Sequence, residues 1–260
     1  MKIATFNINN INRRLPNLLS WLRAAKPDVV CLQELKSTDA DFPVHAIDKA
    51  GYGAVWRGQK TWNGVAILAR KADPVLIRTA LPGDRNDQEA RYIEAAVNGI
   101  IVTSIYLPNG NPQPGPKFDY KLDWFKRLRT HAAKFLKQDI PAVLAGDYNV
   151  APTELDIYPT RSWDKDALIQ PKSRAAFKAL VAQGWTDAIR TMPVKTDVHV
   201  LGLQAQPVAA RCRTAARPSP AEPRRCAAPG EGRRRPQDPW RGKRQRPRAG
   251  MDRAEVIVRQ

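Results

Sequence analysis

Residues 100–110 of the chain read IIVTSIYLPNG, an apolar run that passes directly into polar and turn-forming residues. The β-branched residues of the run favour a strand that ends near Tyr106. Asn109 and Gly110 then favour a turn. The stretch therefore predicts a strand that presents a phenol and an amide near its carboxyl end, where layered α/β folds usually bind ligands.

Three other segments repeat this design. Each places an amide or a carboxylate at the end of an apolar run: residues 5–9 (TFNIN), 32–36 (LQELK) and 146–149 (GDYN). Any one of them alone is better explained by a turn or by a solvated strand end than by a functional site. Their common design indicates one polar edge to which several strands contribute.

Up to Arg190 the chain has the pattern of an α/β protein, in which short apolar strands alternate with amphipathic helices. The spacing predicts strands over residues 3–8, 29–32, 64–68, 100–106 and 142–145. It predicts helices over residues 15–25, 120–136 and 173–183, the last one stopped by Gly184. A chain of this length can form one domain with a sizeable buried core.

The basic residues are unevenly distributed along the 260 residues, whose formal net charge is +18. Residues 197–260 hold 15 Lys and Arg against 6 Asp and Glu, with 8 Pro and a single aromatic residue, Trp240. Such a segment cannot bury enough apolar surface to offset its ordering entropy. We therefore expect a domain over residues 1–196 and an Arg/Pro-rich segment over residues 197–260. That segment is either a disordered basic tail that binds nucleic acid nonspecifically or a stretch read out of frame.

The N-terminal residues and the cysteines indicate in which compartment the protein is expected. The first 20 residues contain Arg13 and Arg14 and no apolar run of signal-peptide or membrane-spanning length. We therefore expect a cytoplasmic protein without membrane attachment. Cys31, Cys212 and Cys226 are widely spaced and match neither a disulfide framework nor a zinc site.

Taken together, residues 106–110 (YLPNG) and 146–152 (GDYNVAP) resemble the endonuclease/exonuclease/phosphatase superfamily, and their pairing is typical of its exonuclease III / apurinic-apyrimidinic endonuclease family. Further segments similar to that family are residues 62–68 (WNGVAIL), 87–91 (DQEAR) and 155–158 (LDIY). The resemblance extends from Met1 to about Thr191. It implies an α/β fold, a four-layer α/β sandwich of two mixed sheets flanked by helices, here incomplete at the C-terminus.

The resemblance also implies an enzyme that hydrolyses DNA phosphodiesters with Mg²⁺, for which Mn²⁺ can substitute. Glu34 would be the principal metal ligand and Asn7 would complete or orient it, in line with the preference of Mg²⁺ for oxygen ligands from few protein groups. Asp147 would orient or deprotonate the attacking water, and Asn149 would hold a phosphate oxygen as negative charge develops. Tyr106 would donate a hydrogen bond to the scissile phosphate.

The implied partner is double-stranded DNA with abasic sites or 3′ ends, bound by a monomeric protein. Asn109 would lie beside the scissile phosphate. Arg91 and Lys121 would contact backbone phosphates, although a solvated surface charge explains each of them equally well.

Three downstream segments of that family are absent from the chain as written: an aromatic Phe-Trp-Asp-Tyr-like segment, a Leu-Arg-Ile-Asp-like strand and a final Ser-Asp-His-Ala-Pro segment. A reading frame moved forward by one nucleotide could recover parts of all three, from residues 200–204, 216–219 and 246–249. We therefore expect a frameshift near Thr196. Because the last segment supplies an acid and a histidine to the family's active site, we expect the chain as written to be poorly stable and nearly inactive.

Two other functions stay open. The same fold could hydrolyse a small phosphodiester such as a phosphoinositide, although YLPNG at residues 106–110 and the basic first segment argue against it. Alternatively, the chain could be a non-catalytic nucleic-acid-binding protein with a degenerate site, which the missing acid and histidine favour. Binding that survives Glu34→Ala, with no turnover in either form, would support this second alternative.

Overall fold

Two β-sheets form the centre of the fold in the computed structural model, which describes residues 1–138, 140–157 and 164–191 and the backbone of Glu255–Val258. The first sheet has the strand order β1-β2-β4-β3. Its strands are β1 (Ile3–Asn7), β2 (Val29–Gln33), β3 (Tyr52–Arg57) and β4 (Val65–Arg70). β1 and β2 are parallel, whereas β4 is antiparallel to both of its neighbours, so the sheet is mixed.

The second sheet is also mixed and has the order β5-β6-β7-β8-β10-β9. Its strands are β5 (Val75–Arg78), β6 (Tyr92–Val97), β7 (Ile100–Tyr106), β8 (Ala142–Asp147), β9 (Thr186–Asp187) and β10 (Glu255–Val258). β7 and β8 are parallel, and the other described pairings are antiparallel.

The helices lie between the strands in the chain. They are α1 (Ile11–Ala25), α2 (Val44–Lys49), α3 (Pro116–Lys137), α4 (Pro171–Val181) and α5 (Ala188–Thr191), with a 3₁₀ turn at Glu154–Asp156. α1 begins at Ile11 because the Asn10 side chain accepts a hydrogen bond from the backbone N–H of Arg13. α3 begins at Pro116, earlier than its apolar periodicity suggested, since proline suits the first turn of a helix. None of the described helices has the length and apolar character needed to cross a membrane.

Apolar clusters separate the layers. The cluster between the two sheets includes Val29, Cys31, Ile67, Val102 and Ala145. α1 packs on the outer face of the first sheet, and α3 and α4 pack on that of the second, through Leu18, Leu22, Leu128, Phe135 and Phe177. Burying each large apolar side chain contributes roughly 1.5–3 kcal/mol. These layers of sheets and helices confirm the expected α/β sandwich of two mixed sheets with flanking helices.

The strands predicted from the sequence correspond to β1, β2, β4, β7 and β8, while β3, β5, β6 and β9 were missed. β10 was also not expected, since we expected the C-terminal strands to be absent, yet its backbone pairs with both β8 and β9. The candidate out-of-frame segments at residues 200–204, 216–219 and 246–249 lie outside the described residues. The boundary near residue 196 stays a prediction.

The parallel pairs align the carboxyl ends of four strands. Asn7 at the end of β1 lies opposite Gln33 at the end of β2, and Tyr106 at the end of β7 lies opposite Asp147 at the end of β8. The two pairs belong to different sheets that face each other, and their polar ends meet. The fold thus brings together side chains that are far apart in the sequence.

Candidate active site

Asn7 connects the two sheets at this meeting point. Its Nδ2 atom donates to Glu34 Oε1 at 2.9 Å and to Asp147 Oδ2 at 3.0 Å. Its Oδ1 atom accepts a hydrogen bond of 3.2 Å from the backbone N–H of Asn9. One amide therefore holds two carboxylates from opposite sheets at a fixed separation.

Glu34 is the first residue after β2 and is buried, with 2% of its surface exposed. Its Oε1 also accepts a hydrogen bond of 2.8 Å from the Tyr106 phenol, and its Oε2 lies 2.8 Å from Lys36 Nζ. Burial opposes ionisation of this carboxyl, but the hydrogen bonds from Asn7, Lys36 and Tyr106 outweigh it and hold the pKa of Glu34 below its ordinary value. Glu34 is therefore an anion at neutral pH.

Asp147 has the opposite electrostatic character. It is buried, and burial raises the pKa of this carboxyl to about 7, partly opposed by hydrogen bonds from the Asn149 backbone N–H and Asn7 and reinforced by the negative charge of Glu34. The backbone N–H of Asn149 donates to Oδ1 at 2.9 Å. The site thus contains one carboxylate that stays charged and one whose pKa is close to neutrality, a combination found where proton transfer occurs.

Two amides lie beside Asp147. Asn109 Nδ2 donates to Asn149 Oδ1 at 3.2 Å, and Asn149 Nδ2 donates to the carbonyl of Leu107 at 2.7 Å. Asn149 has a φ of +47°, a left-handed conformation that asparagine tolerates better than most residues. The sequence-predicted Asn109 and Asn149 are therefore in direct contact.

Arg91 contacts Tyr106. Its guanidinium carbon lies 5.0 Å from the centroid of the phenol ring, and its Nη1 donates to the Tyr106 carbonyl at 3.4 Å. Burial, followed by the charges of Glu34 and Asp147, raises the pKa of Tyr106 above its ordinary value, so the phenol keeps its proton and remains a donor. Arg91 is mostly buried, with 16% of its side chain exposed, and lies behind Tyr106.

Lys121 lies elsewhere than expected. We expected either a contact with a backbone phosphate or a solvated surface charge, but the side chain is fully buried on α3. Its Nζ donates to the carbonyls of Asn109 and Asn149, the first at 3.1 Å. Burial lowers the pKa of this ammonium to about 7, partly opposed by the charges of Asp147 and Asp166. An ammonium enclosed by backbone carbonyls is not available at the surface to a phosphate.

Sequence reasoning gave no role to Lys36. Its ammonium bonds to Asn9 Oδ1 at 2.7 Å as well as to Glu34 Oε2, and it lies 5.5 Å from the ring centroid of Trp62. Trp62 is exposed over 64% of its surface. The available signal was the short spacing of Lys36 from Glu34, which cannot by itself reveal that the side chain turns back on the carboxylate.

The donors at this centre suit a hard divalent cation. Glu34 and Asp147 supply carboxylate oxygens, Asn7 orients both of them, and Glu34 Oε2 and Asn9 Oδ1 already accept hydrogen bonds from the Lys36 ammonium. Across the described ranges of the chain, no group of three or more His, Cys, Asp or Glu side chains is arranged to hold a metal. Mg²⁺ needs only one or two protein carboxylates, with waters and substrate phosphate as its other ligands, so these residues fit it.

Comparison with known proteins agrees with this arrangement. A model of the endonuclease/exonuclease/phosphatase family matches residues 4–245. The chain is 31% identical over 209 residues to exodeoxyribonuclease III of Haemophilus influenzae. The aligned region covers 76% of this chain and 78% of that protein.

Solved structures agree as well. A 3′ phosphatase from Neisseria bound to product DNA hairpin is 37% identical and covers 73% of this chain and 74% of its own, with a TM-score of 0.70. An AP endonuclease from Archaeoglobus fulgidus is 32% identical and covers 80% of each chain, with a TM-score of 0.71. Together with the site geometry, these matches establish that the chain belongs to the endonuclease/exonuclease/phosphatase family.

Proposed function

We propose that this protein is a Mg²⁺-dependent DNA-repair nuclease of the exodeoxyribonuclease III type, which hydrolyses phosphodiesters at abasic sites and at 3′ ends. The observation that carries the proposal is the Asn7 amide, which joins Glu34 and Asp147 at 2.9 and 3.0 Å where the two sheets meet. The similar exodeoxyribonuclease III and the DNA-bound Neisseria structure support DNA as the substrate.

Glu34 would hold the metal through its carboxylate, and Asn7 would orient that carboxylate. Glu34 is anionic at neutral pH, and its Oε2 bonds to Lys36, whose side chain is partly exposed. When bound, Mg²⁺ or the substitute Mn²⁺ neutralises charge on the scissile phosphate. Lys36, which bonds to Glu34 Oε2, would share this carboxylate with the metal.

Asp147 would hold and deprotonate the attacking water. Hydrogen bonds from Asn7 and from the Asn149 backbone fix both carboxylate oxygens. Its pKa of about 7 matches the requirement of a general base that works near neutral pH. A metal ion held by Glu34 would favour the ionised form of Asp147, because a nearby positive charge opposes protonation.

Tyr106, Asn109 and Asn149 would bind the phosphate. Each asparagine amide has a second N–H that could donate to the phosphate, whereas the single O–H of Tyr106 would have to turn from Glu34 to the phosphate. Their positions are fixed by the contacts of Tyr106 with Glu34 and of Asn109 with Asn149. Arg91 would act mainly by holding Tyr106. The exposed part of the Arg91 side chain would contact the DNA backbone.

The setting is part of the same proposal. A cytoplasmic monomer that binds double-stranded DNA would use the net positive charge of residues 1–196, where 28 Lys and Arg face 19 Asp and Glu. The degenerate-binder alternative keeps one observation in its favour, the absence of the family's last acid and histidine from the sequence as written.

A shifted reading frame would account for that absence. Met251 and Asp252 are encoded only as ATG followed by GAT or GAC, so a frame moved forward by one nucleotide must read TGG, a tryptophan codon, at this point. The same frame allows Asp-His-Ala from residues 246–249. Nucleotide sequencing across codons 190–200 tests the idea, and an intact frame there contradicts it.

A substrate panel tests the proposed function. The chain as written and a frame-restored version are incubated with an abasic duplex, a duplex with recessed 3′ ends and bis(4-nitrophenyl) phosphate, each with Mg²⁺ or with EDTA. We expect the frame-restored protein to cleave both DNAs only with Mg²⁺. Turnover of the small phosphodiester alone would favour the small-substrate alternative, and DNA binding without any turnover would favour the non-catalytic one.

A further inference from the structure

We propose that Lys121 is a positioning residue, which ties the Asn109 loop (residues 107–115) to the Asn149 loop (residues 148–153) and so sets the spacing of the two amides. This inference rests on the proposed function, in which those amides bind the phosphate. The Lys121 ammonium donates to the Asn109 carbonyl in one loop and to the Asn149 carbonyl in the other. It is a link from α3 to both loops at once.

The burial of this side chain indicates that its charge has a purpose. Lys121 is fully buried, and enclosing an ammonium carries a large desolvation penalty unless its donors are satisfied. An apolar side chain of the same length would fill the space without that penalty. The ammonium supplies hydrogen-bond donors to the two carbonyl oxygens, which an aliphatic side chain could not do.

Gly110 supports the same interpretation. It has a φ of +90°, and a Cβ atom added there would lie 2.7 Å from Lys121 Cδ. The Asn109 loop therefore crosses directly over the lysine stem, and only glycine both allows this backbone conformation and leaves room for the stem. Loop and lysine fit each other closely.

The amide contact lies on the other side of the same link. Asn109 Nδ2 reaches Asn149 Oδ1 at 3.2 Å, between the residues whose carbonyls Lys121 holds. Because Lys121 holds both backbone carbonyls, the side chains of Asn109 and Asn149 have little freedom to separate. Without the ammonium, the two carbonyls would repel each other and the loops would move apart.

Hydrogen exchange measured by mass spectrometry on the full 260-residue chain tests the link. We expect Lys121→Met to accelerate exchange by about 10-fold or more in peptides from both loops, the size expected for losing hydrogen bonds to a charged group. Peptides from β7 and β8 should exchange as in the unmodified chain. The matched control is Lys117→Met, which changes an exposed lysine on the same helix and should leave both loops unchanged.

A second readout separates positioning from general weakening. In a chain labelled with ¹⁵N-asparagine, the side-chain amide signals of Asn109 and Asn149 should shift in Lys121→Met, while that of Asn98, in the β6–β7 turn, should not. Lys121→Gln keeps a donor on a shorter side chain and serves as the folded variant if Lys121→Met does not fold. Wild-type signals and loop exchange in whichever variant folds, or equal acceleration in loops and strands, would overturn the proposal. Neither readout needs turnover, so a frame-restored protein that cleaves neither DNA of the substrate panel would refute the proposed function and leave this link standing.

Discussion

Replacing Asp147 by Asn should stabilise the fold at neutral pH while removing activity. Moving the pKa of this carboxyl from 3.8 to about 7 means that keeping it ionised above pH 7 costs roughly 4 kcal/mol. Asparagine avoids that cost. Asparagine also loses one hydrogen bond. Its amide oxygen can accept from the Asn149 backbone, but its N–H then faces the N–H of Asn7, and this mismatch destabilises the fold by roughly 1–3 kcal/mol. The expected net gain is about 1–3 kcal/mol, or a few degrees in Tm.

The sign of the pH dependence follows from the direction of the shift. The folded-state pKa of Asp147 lies above its unfolded value, so its contribution to stability is fully present below about pH 4 and is lost as pH rises through about 7. The advantage of Asp147→Asn should therefore be larger at pH 8 than at pH 5. Circular dichroism melts at both values without divalent metal measure this, with Asp123→Asn on the exposed side of α3 as control. A Tm for Asp147→Asn at or below that of the unmodified chain at pH 8 would refute the reasoning.

Other variants test separate contacts. Tyr106→Phe removes the phenol that donates to Glu34 and should slow single-turnover DNA cleavage by the frame-restored protein roughly 10²-fold, whereas a rate within twofold would exclude Tyr106 from phosphate binding. Glu94→Ala removes the buried acceptor shared by Tyr92, His131 and Arg78 and should destabilise the fold by about 3–5 kcal/mol in urea unfolding. Glu154→Ala, which removes an exposed partner of an arginine, should change it by no more than about 1 kcal/mol; equal effects of the two glutamates would contradict the assigned role of burial.

The sequence located the candidate site where strands end. Asn7, Glu34 and Asp147 each follow or close an apolar run, and parallel pairing aligns such ends within each sheet, so the polar edge of each sheet could be predicted. The meeting of the two edges depends on how the two sheets pack against each other. β6 was missed because Glu94 interrupts its apolar pattern. That acid is buried beside His131 on α3, a partnership between distant parts of the chain that no local pattern reveals.

Lys121 illustrates the limit for charged residues. A lysine on an amphipathic helix is usually solvated, and nothing in the local spacing distinguishes one that points inward. Its burial depends on Gly110 in the preceding loop and on carbonyls of the Asn149 loop, which only the folded backbone places within reach. Likewise, the sequence could suggest that Arg91 meets phosphate, but not that its guanidinium lies against the Tyr106 ring.

Glu34 provides the most direct test of the proposed metal-dependent chemistry. Cleavage and binding of an abasic duplex are measured for the frame-restored protein and for its Glu34→Ala variant over a range of Mg²⁺ concentrations. We expect the variant to lose Mg²⁺-dependent cleavage and to keep abasic-DNA affinity largely intact, because phosphate contacts elsewhere supply most of the binding. Cleavage by Glu34→Ala at the unmodified rate and with the same Mg²⁺ dependence would contradict the assignment of Glu34 and, with it, the proposed catalytic centre.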